Sequence, residues 1–404
     1  MLQIDSLNSK LTQIHLQNTG LSGTESENDS VCETASLTTF PESYALKNEE
    51  AASLKQNYIL HMSVARENSE AKVALSTSNH SCIVYQVGEQ IAQLTSLNDH
   101  DKAVSNVRIS SQNTNLVFSG SLDGTIKLWD LRRSSKCVKT FQDDTRGDDK
   151  LKPITSFDIN CDNRVLCAGT ELVDGDAFLL FWDIRTTNLL GGYWESHTDD
   201  VTQICFHPSQ TNVLVSGSSD GLINVFDINE TNESAALQNC LNTQSCVEKL
   251  SWIKSREGEE LDISCITSTV DLQLWSLEGA SPYLAIDRDT IGKGMSNSSD
   301  DCYLVDVHQF SFTQDLMLLG GCTLGNGDNL QSLKLSHDSK IKPMANFVGN
   351  KQIVRCSWHN PDTGVLLTAG EASILSVWKP SVTEDLKSTV KPMKKERKRK
   401  PTPY

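Results

Sequence analysis

Long apolar runs and a secretory leader are both missing from this sequence. No stretch approaches the roughly 18 apolar residues that a membrane-spanning helix needs. The first residues, MLQIDSLNSKLTQIHLQ, have neither a basic start nor a continuous apolar core. We therefore expect a chain that is neither inserted in a membrane nor secreted.

Positive charge is scarce. The 404 residues include 36 Lys and Arg against 52 Asp and Glu, a net charge of −16. Residues 391–400 carry seven basic and one acidic side chain, which leaves −22 for the remainder. A chain with this much negative charge is not expected to bind the phosphate backbone of a nucleic acid across its surface. Weak contact with nucleic acid is expected only through the basic C-terminal residues.

The 12 cysteines include no C-x-x-C pair and no zinc-finger spacing. In a reducing compartment they are expected to be free thiols that behave as small apolar residues. Neither a metal nor a cofactor is therefore predicted. The cysteines that lie in strand-like runs are Cys82, Cys161, Cys167, Cys205, Cys265 and Cys356.

Two segments repeat one pattern. SGSLDGTIKLWDLR (residues 119–132) matches SGSSDGLINVFDIN (residues 216–229). Each has a strand that ends in small hydroxyl residues, an Asp-Gly turn, and a second strand that alternates apolar and polar residues before an aromatic residue and an Asp. With one strand before and one after, the pattern predicts a four-stranded antiparallel unit. A His stands 23 residues before the turn Asp in both: His100 before Asp123, and His197 before Asp220.

Similar units recur along the chain about every 40 to 45 residues, with longer spacings where loops are inserted. The residues that end the third strand are Tyr85, Trp129, Trp182, Phe226, Trp275, a degenerate site at Leu333 or Leu335, and Trp378. These seven units resemble the WD-repeat β-propeller family. The resemblance implies an all-β fold, a seven-bladed propeller that closes into a ring and removes its sheet edges.

The last unit lacks an obvious fourth strand, while an alternating run, LTQIHLQN (residues 11–18), precedes the first unit. We expect residues 1–18 to supply a latch strand that completes the last blade. Residues 19–56 are rich in Ser, Thr and acidic side chains, which predicts a disordered insertion. The propeller is then expected over residues 57–383, followed by a disordered basic tail over residues 384–404.

The family resemblance implies a structural hydrogen-bonded chain from His through Asp and Ser to the Trp N–H in each good repeat. A Ser-His-Asp catalytic site is the alternative, but catalytic groups occur once, at a cleft, and this set recurs. No catalytic residue is therefore assigned, and the chain is not expected to be an enzyme. The predicted structural residues are His100, Ser121, Asp123 and Trp129 in one repeat and His197, Ser218 and Asp220 in the other.

Two consecutive units contain the motif W-D-x-R. Substrate receptors of cullin–RING ubiquitin ligases resemble this, and in them the Arg contacts the adaptor. The alternative is that Asp and a basic residue simply open a solvated turn. The candidate adaptor contacts are Asp130, Arg132, Asp183 and Arg185.

The run KKERKRK near the C-terminus is typical of a nuclear import signal, because import receptors bind clustered Lys and Arg on an extended segment. A weak nucleic-acid arm or a solubilising tail are the alternatives. We predict a monomeric, non-catalytic scaffold for protein partners in the nucleus, and also the cytoplasm, with a ubiquitin-ligase receptor as the second hypothesis. The predicted import residues are Lys394, Lys395, Arg397, Lys398, Arg399 and Lys400.

Overall fold

The computed structural model describes residues 40–53, 57–67, 70–133, 136–143, 145, 151–256, 258, 260–295, 299–310 and 313–381. Strands dominate these residues. They are β1 (Glu42–Ala51), β2 (Ile59–Glu67), β3 (Glu70–Thr77), β4 (Cys82–Val87), β5 (Ile91–Leu97), β6 (Val104–Ile109), β7 (Leu116–Ser121), β8 (Thr125–Asp130), β9 (Cys137–Gln142), β10 (Ile154–Ile159), β11 (Val165–Thr170), β12 (Leu179–Asp183), β13 (Leu189–Tyr193), β14 (Val201–Phe206), β15 (Val213–Ser218), β16 (Leu222–Asp227), β17 (Leu237–Asn242), β18 (Val247–Lys254), β19 (Leu261–Thr267), β20 (Leu272–Trp275), β21 (Leu284–Ile286), β22 (Cys302–Gln309), β23 (Leu316–Cys322), β24 (Leu330–Leu335), β25 (Ile341–Val348), β26 (Val354–His359), β27 (Leu366–Gly370) and β28 (Ile374–Pro380).

Helical structure in these residues is short. It comprises α1 (Glu233–Ala236), α2 (Arg288–Gly294) and two 3₁₀ turns at Ser299–Asp301 and Leu324–Gly327. None of the helices in the described part of the chain is long and apolar enough to cross a membrane. Among the same residues, no cluster of three or more His, Cys, Asp or Glu side chains could hold a metal ion.

Five sheets are four-stranded antiparallel meanders: β2–β5, β6–β9, β10–β13, β14–β17 and β18–β21. The sixth sheet has eight strands, in the order β22-β23-β24-β25-β1-β28-β27-β26. The first strands of consecutive sheets contact one another, and β26 contacts β2, so the sheets form a closed ring. We call these ring-forming first strands the inner strands. The eight-stranded sheet supplies two of them, β22 and β26.

The all-β propeller is confirmed, but the prediction of seven separate blades is wrong. The described chain has five four-stranded blades and one eight-stranded sheet. The physical reason is β1, which pairs on both of its edges and thereby joins two sets of strands. It runs antiparallel to β28, from Tyr44 opposite Pro380 to Ala51 opposite Ile374, and parallel to β25, from Glu42 opposite Ala345 to Ala45 opposite Val348.

The strand that follows β28 in the sheet is therefore β1, not the predicted latch. Both edges of β1 are occupied, so this position offers no place for another strand. The prediction that residues 19–56 are one disordered insertion is wrong for Glu42–Ala51, which pairs along its length. Residues 1–18, which include the alternating run, lie outside the described residues, and so does the whole predicted tail, residues 384–404.

Glycines on the second strands let neighbouring sheets approach closely. A Cβ added to Gly169 in β11 would lie 2.4 Å from Val201, on the first strand of the next sheet. Gly217 in β15 stands in the same relation to Val247, at 2.5 Å. These distances are too short for a side chain, which explains the glycine in the middle of Ala168-Gly169-Thr170 and of Ser216-Gly217-Ser218.

Polar side chains join the inner strands. Each accepts a hydrogen bond from a backbone N–H of the following inner strand, which satisfies a donor on an otherwise unpaired strand edge. The bonds join Ile109 N–H to Ser63 Oγ at 2.9 Å, Phe206 N–H to Asp158 Oδ2 at 2.9 Å, and Ser357 N–H to Asp306 Oδ2 at 2.8 Å.

No disulfide bond joins the cysteines among the described residues. Burial raises the pKa of Cys82 and Cys265 to about 12, so these thiols are not reactive nucleophiles. Cys161 lies in the turn between β10 and β11 rather than in a strand as expected. The other cysteines predicted in strands, Cys167, Cys205 and Cys356, are buried there.

Candidate functional site

A hydrogen-bonded chain runs through the sheet β6–β9. The Trp129 indole N–H donates to Ser119 Oγ at 2.8 Å, and Ser119 Oγ lies 2.8 Å from His100 Nε2. His100 Nδ1 lies 2.8 Å from Asp123 Oδ2. Because the indole can only donate and the carboxylate can only accept, Ser119 donates to Nε2 and Nδ1–H donates to Asp123. Every member of the chain is then satisfied.

The hydroxyl in this chain is Ser119, not the predicted Ser121. Both serines lie on β7 two residues apart, so their side chains point to the same face of the strand. Ser121 Oγ instead accepts the Asp123 N–H at 3.1 Å and donates to the Lys102 carbonyl at 3.2 Å, which fixes the turn. Spacing alone does not distinguish these two serines.

The sheet β14–β17 has the same arrangement without the indole. His197 Nδ1 lies 3.1 Å from Asp220 Oδ2, and His197 Nε2 lies 2.7 Å from Ser216 Oγ. The predicted Ser218 again holds the turn, donating to Asp199 O at 3.1 Å. Phe226 stands in the Trp position and has no N–H to donate, so the chain ends at the serine.

Electrostatics stabilise the charged form of both aspartates. Burial alone would raise the pKa of Asp123, but hydrogen bonds from His100 and Thr125 outweigh burial and hold this pKa well below its usual range. The pKa of Asp220 is lowered in the same way, with His197 as its main hydrogen-bond partner.

Burial makes these groups a framework rather than a reactive site. Ser119 and Ser216 are 0% exposed, and His100 and His197 are also buried. A nucleophile must be reached by its substrate, and these hydroxyls are enclosed by the sheets. Each set instead ties an incoming loop to a turn and to the sheet below it.

Two other tryptophans on third strands, Trp182 and Trp378, use other acceptors. In β12, the Trp182 N–H donates to the Gln142 carbonyl at 3.2 Å, because Ala168 stands where the earlier sheet has Ser119. In β28, the Trp378 N–H donates to Thr368 Oγ1 at 2.9 Å. These two indoles are thus each satisfied by a different acceptor that the local sequence supplies.

The two W-D-x-R motifs present exposed arginines at the ends of β8 and β12. Arg132 Nε and Nη2 donate to the two Asp130 carboxylate oxygens at 2.9 and 2.8 Å. Arg185 binds Asp183 in the same two-point manner, at 3.3 and 3.0 Å. The side chains of Arg132 and Arg185 are nevertheless 61% and 69% exposed, so each guanidinium keeps a free outer side.

These pairs also fix the charge state of the aspartates. Hydrogen bonds from Arg132 lower the pKa of Asp130 to about 2, and those from Arg185 lower the pKa of Asp183 to about 2. Lys139 of β9 donates to the backbone carbonyls of Ile184 and Arg185, at 2.9 and 2.6 Å. This lysine connects the second sheet to the turn that carries Arg185.

The predicted import residues lie outside the described residues: Lys394, Lys395, Arg397, Lys398, Arg399 and Lys400. Their assignment stays a prediction from sequence.

Comparison with known proteins identifies the repeats. Residues 91–130 and 190–227 match the family model described as WD domain, G-beta repeat. Each segment contains the first three strands of one of the two sheets whose histidine networks are described above, β6–β8 and β14–β16. Each also includes most or all of the last strand of the preceding sheet, β5 or β13.

Three relatives extend this similarity. A WD repeat-containing protein 89 homolog of Dictyostelium discoideum is 24% identical over 338 residues, which cover 82% of this chain and 85% of the relative. The WD repeat-containing protein GTS1 of Arabidopsis thaliana is 25% identical over 285 residues, 70% of this chain and 69% of the relative. An uncharacterised WD repeat-containing protein of Saccharomyces cerevisiae is 34% identical over 142 residues, 35% of this chain and 34% of the relative. Their names state no partner and no compartment.

Proposed function

We propose that this chain, which is a WD-repeat β-propeller protein, is a non-catalytic scaffold that holds protein partners in the nucleus and also in the cytoplasm. WD-repeat proteins generally act as protein-interaction scaffolds and are typically not enzymes. The observation that supports the proposal is that the polar side chains of the repeats fall into two groups, one buried and one exposed. The Ser, His and Asp groups of the repeats are enclosed in a framework, whereas Arg132 and Arg185 are held outward at the ends of strands.

Affinity purification of the tagged chain, with and without residues 391–404, tests this proposal. Partners recovered with both forms bind the propeller, and partners lost with the shorter form need the basic tail. Recovery of no stoichiometric partner from either nuclear or cytoplasmic extract would contradict the scaffold proposal.

Nuclear entry is the second part of the proposal and rests on the density of Lys and Arg between residues 394 and 400. Replacing the six predicted import residues with Ala is expected to shift a fluorescently tagged chain from the nucleus to the cytoplasm. At 44.6 kDa plus the tag, passive entry is slow, so the effect is visible by microscopy. Unchanged nuclear accumulation would remove the import role from this segment.

A second candidate function is that of a substrate receptor of a ubiquitin ligase. The observation that favours it is the matched geometry of Arg132 and Arg185 in consecutive sheets. Each guanidinium is oriented by its own aspartate, which reduces the side-chain entropy that binding would otherwise cost. A planar guanidinium also offers several donors in a fixed geometry that a lysine does not reproduce.

Replacing both Arg132 and Arg185 with Ala is expected to abolish co-precipitation of the ligase adaptor without altering the melting temperature. Lys at both positions should recover only part of the binding. Arg164→Ala is the matched control, because this arginine is also 69% exposed and lies beside an aspartate, at 3.6 Å from Asp162. An adaptor that binds the double alanine variant as well as wild type, or that does not bind wild type, excludes the ligase function.

A further inference from the structure

The last strand of each four-stranded unit, here called the outer strand, has one edge that pairs with no other strand of its unit. The units differ in whether another segment of the chain covers that edge. In the eight-stranded sheet, the outer edge of β25 is not left open, because β1 adds to it in parallel over residues 42–45. Tyr44 of the added strand stacks on Phe347 of β25, with ring centroids 4.7 Å apart. The pairing of β1 with β25 therefore shows that an outer strand of this ring accepts one more extended segment.

β13 is the counterpart of β25 in the sheet β10–β13. Both outer strands carry a bulge at the same place: pairing with the third strand skips Met344 in β25 and Leu190 in β13. Met344 is buried beneath the joined strands, whereas Leu190 is 59% exposed. By this alignment, residues 345–348, the segment covered by β1, correspond to residues 191–194.

Within the described residues, β13 is paired only with β12. A Cβ added to Gly191 would find no atom within 4 Å, so no side chain or loop covers the face of the strand at this position. Trp194, just beyond the strand, is 50% exposed. Its position is fixed, because Glu233 of α1 accepts the Trp194 and Glu195 N–H groups at 2.8 and 2.9 Å.

The other outer strands are less suited to this role. β9 contains Lys139, and a lysine on an edge strand opposes pairing with another chain. β17 exposes polar residues, and β5 lies in contact with β1. β21 spans only the three residues Leu284–Ile286, fewer than the four residues of β25 that β1 covers. β13 has no charged side chain, contains two glycines and the exposed Leu190, and is followed directly by the exposed Trp194.

The charged side chains near the two ends of β13 favour one orientation of an added segment. Arg185, which is paired with Asp183, and Lys139 lie at the end where β13 begins and together give it a net charge of +1, whereas Glu195, Glu230 and Glu233 lie at the end where it finishes. A parallel segment with an acidic residue first and a basic residue last would complement both ends. The sequence of β1 has this form, with Glu42 at its start and Lys47 after the covered stretch.

We propose that the free edge of β13 binds an extended segment of a partner protein by parallel strand addition, with an acidic residue first, an aromatic residue opposite Tyr193, and a basic residue last. This rests on the proposed scaffold function and names one of its binding surfaces. Backbone hydrogen bonds along residues 191–193 supply the pairing, and Leu190 and Trp194 contact the apolar side chains of the segment.

The test uses a fluorescent peptide with the sequence of residues 41–47 and the full chain, in which β25 is already occupied by its own β1. Anisotropy is expected to show saturable binding that Leu190→Lys weakens at least about tenfold. Val138→Lys is the matched control, since Val138 is the exposed bulge residue of β9, and it should leave binding unchanged. A peptide with its Glu and Lys exchanged should bind more weakly.

Hydrogen exchange locates the peptide: amides of residues 191–193 should slow when it is bound. No saturable binding, equal loss in both lysine variants, or protection elsewhere would overturn the proposal. Self-association of the chain that Leu190→Lys abolishes would assign the edge to a second copy and overturn it too. If the peptide fails to bind but purified partners persist, the edge proposal fails and the scaffold function stands.

Discussion

Trp129→Ala is expected to lower the free energy of unfolding by about 3–5 kcal/mol, the range for large aromatic truncations in a core. Trp129 is 1% exposed and packs between the first two sheets against Val84, Leu97 and Val107. The substitution also leaves Ser119 and His100 without the donor that ends their hydrogen-bonded chain, and an unsatisfied buried group adds to the cost. Denaturant unfolding monitored by circular dichroism measures the change.

Two matched variants separate packing from hydrogen bonding. Trp129→Phe keeps most of the ring but removes the N–H, and is expected to cost about 1–3 kcal/mol. Phe226→Leu changes the equivalent position in the fourth sheet, where the hydrogen-bonded chain already ends at Ser216, and should cost less than Trp129→Ala. Wild-type stability in Trp129→Ala would show that the indole does not stabilise the ring.

Local pattern predicts the repeated units well. The Asp-Gly turns predicted from sequence adopt the conformation that needs glycine, with φ of 87° at Gly124 and 82° at Gly221. The degenerate unit near Leu333 forms a strand, β24, of the kind that the other third strands form. Turn chemistry and strand alternation are local properties, which is why the sequence carries them.

Pairing between segments that lie far apart in the sequence does not follow from a local pattern. The predicted partner of the last blade, residues 1–18, is wrong for this reason. β1 reads ESYALKNEEA, which has too many charged residues to indicate a strand, whereas the run at residues 11–18 alternates clearly. β1 is nevertheless a strand because it pairs with β25 and β28, from opposite sides, and buries Tyr44 between them. The choice of Ser119 over Ser121 likewise depends on where His100 and Trp129 meet in space.

Removing Glu42–Ala51 is expected to destabilise the ring more than Trp129→Ala does, because the deletion leaves β25 and β28 with bare edges. Tyr44 is 3% exposed and packs in one cluster with Phe347 and Trp378, so the deletion also opens a core. The expected cost exceeds about 5 kcal/mol, comparable to the whole stability of many domains. Bare edges pair with other chains, so aggregation should accompany the loss of a cooperative melt.

Point variants in β1 make this prediction specific. Tyr44→Ala should cost about 3–5 kcal/mol, since it removes a buried ring stacked on Phe347. Glu50→Ala is the matched control: it lies on the same strand, is exposed, and should change stability by less than about 0.5 kcal/mol. Deleting residues 1–18 tests whether β1, rather than residues 1–18, completes the sheet beside β28. If β1 closes the ring, that deletion leaves thermal unfolding and the monomeric state unchanged; if it reproduces the loss caused by removing β1, closure depends on residues 1–18 as well.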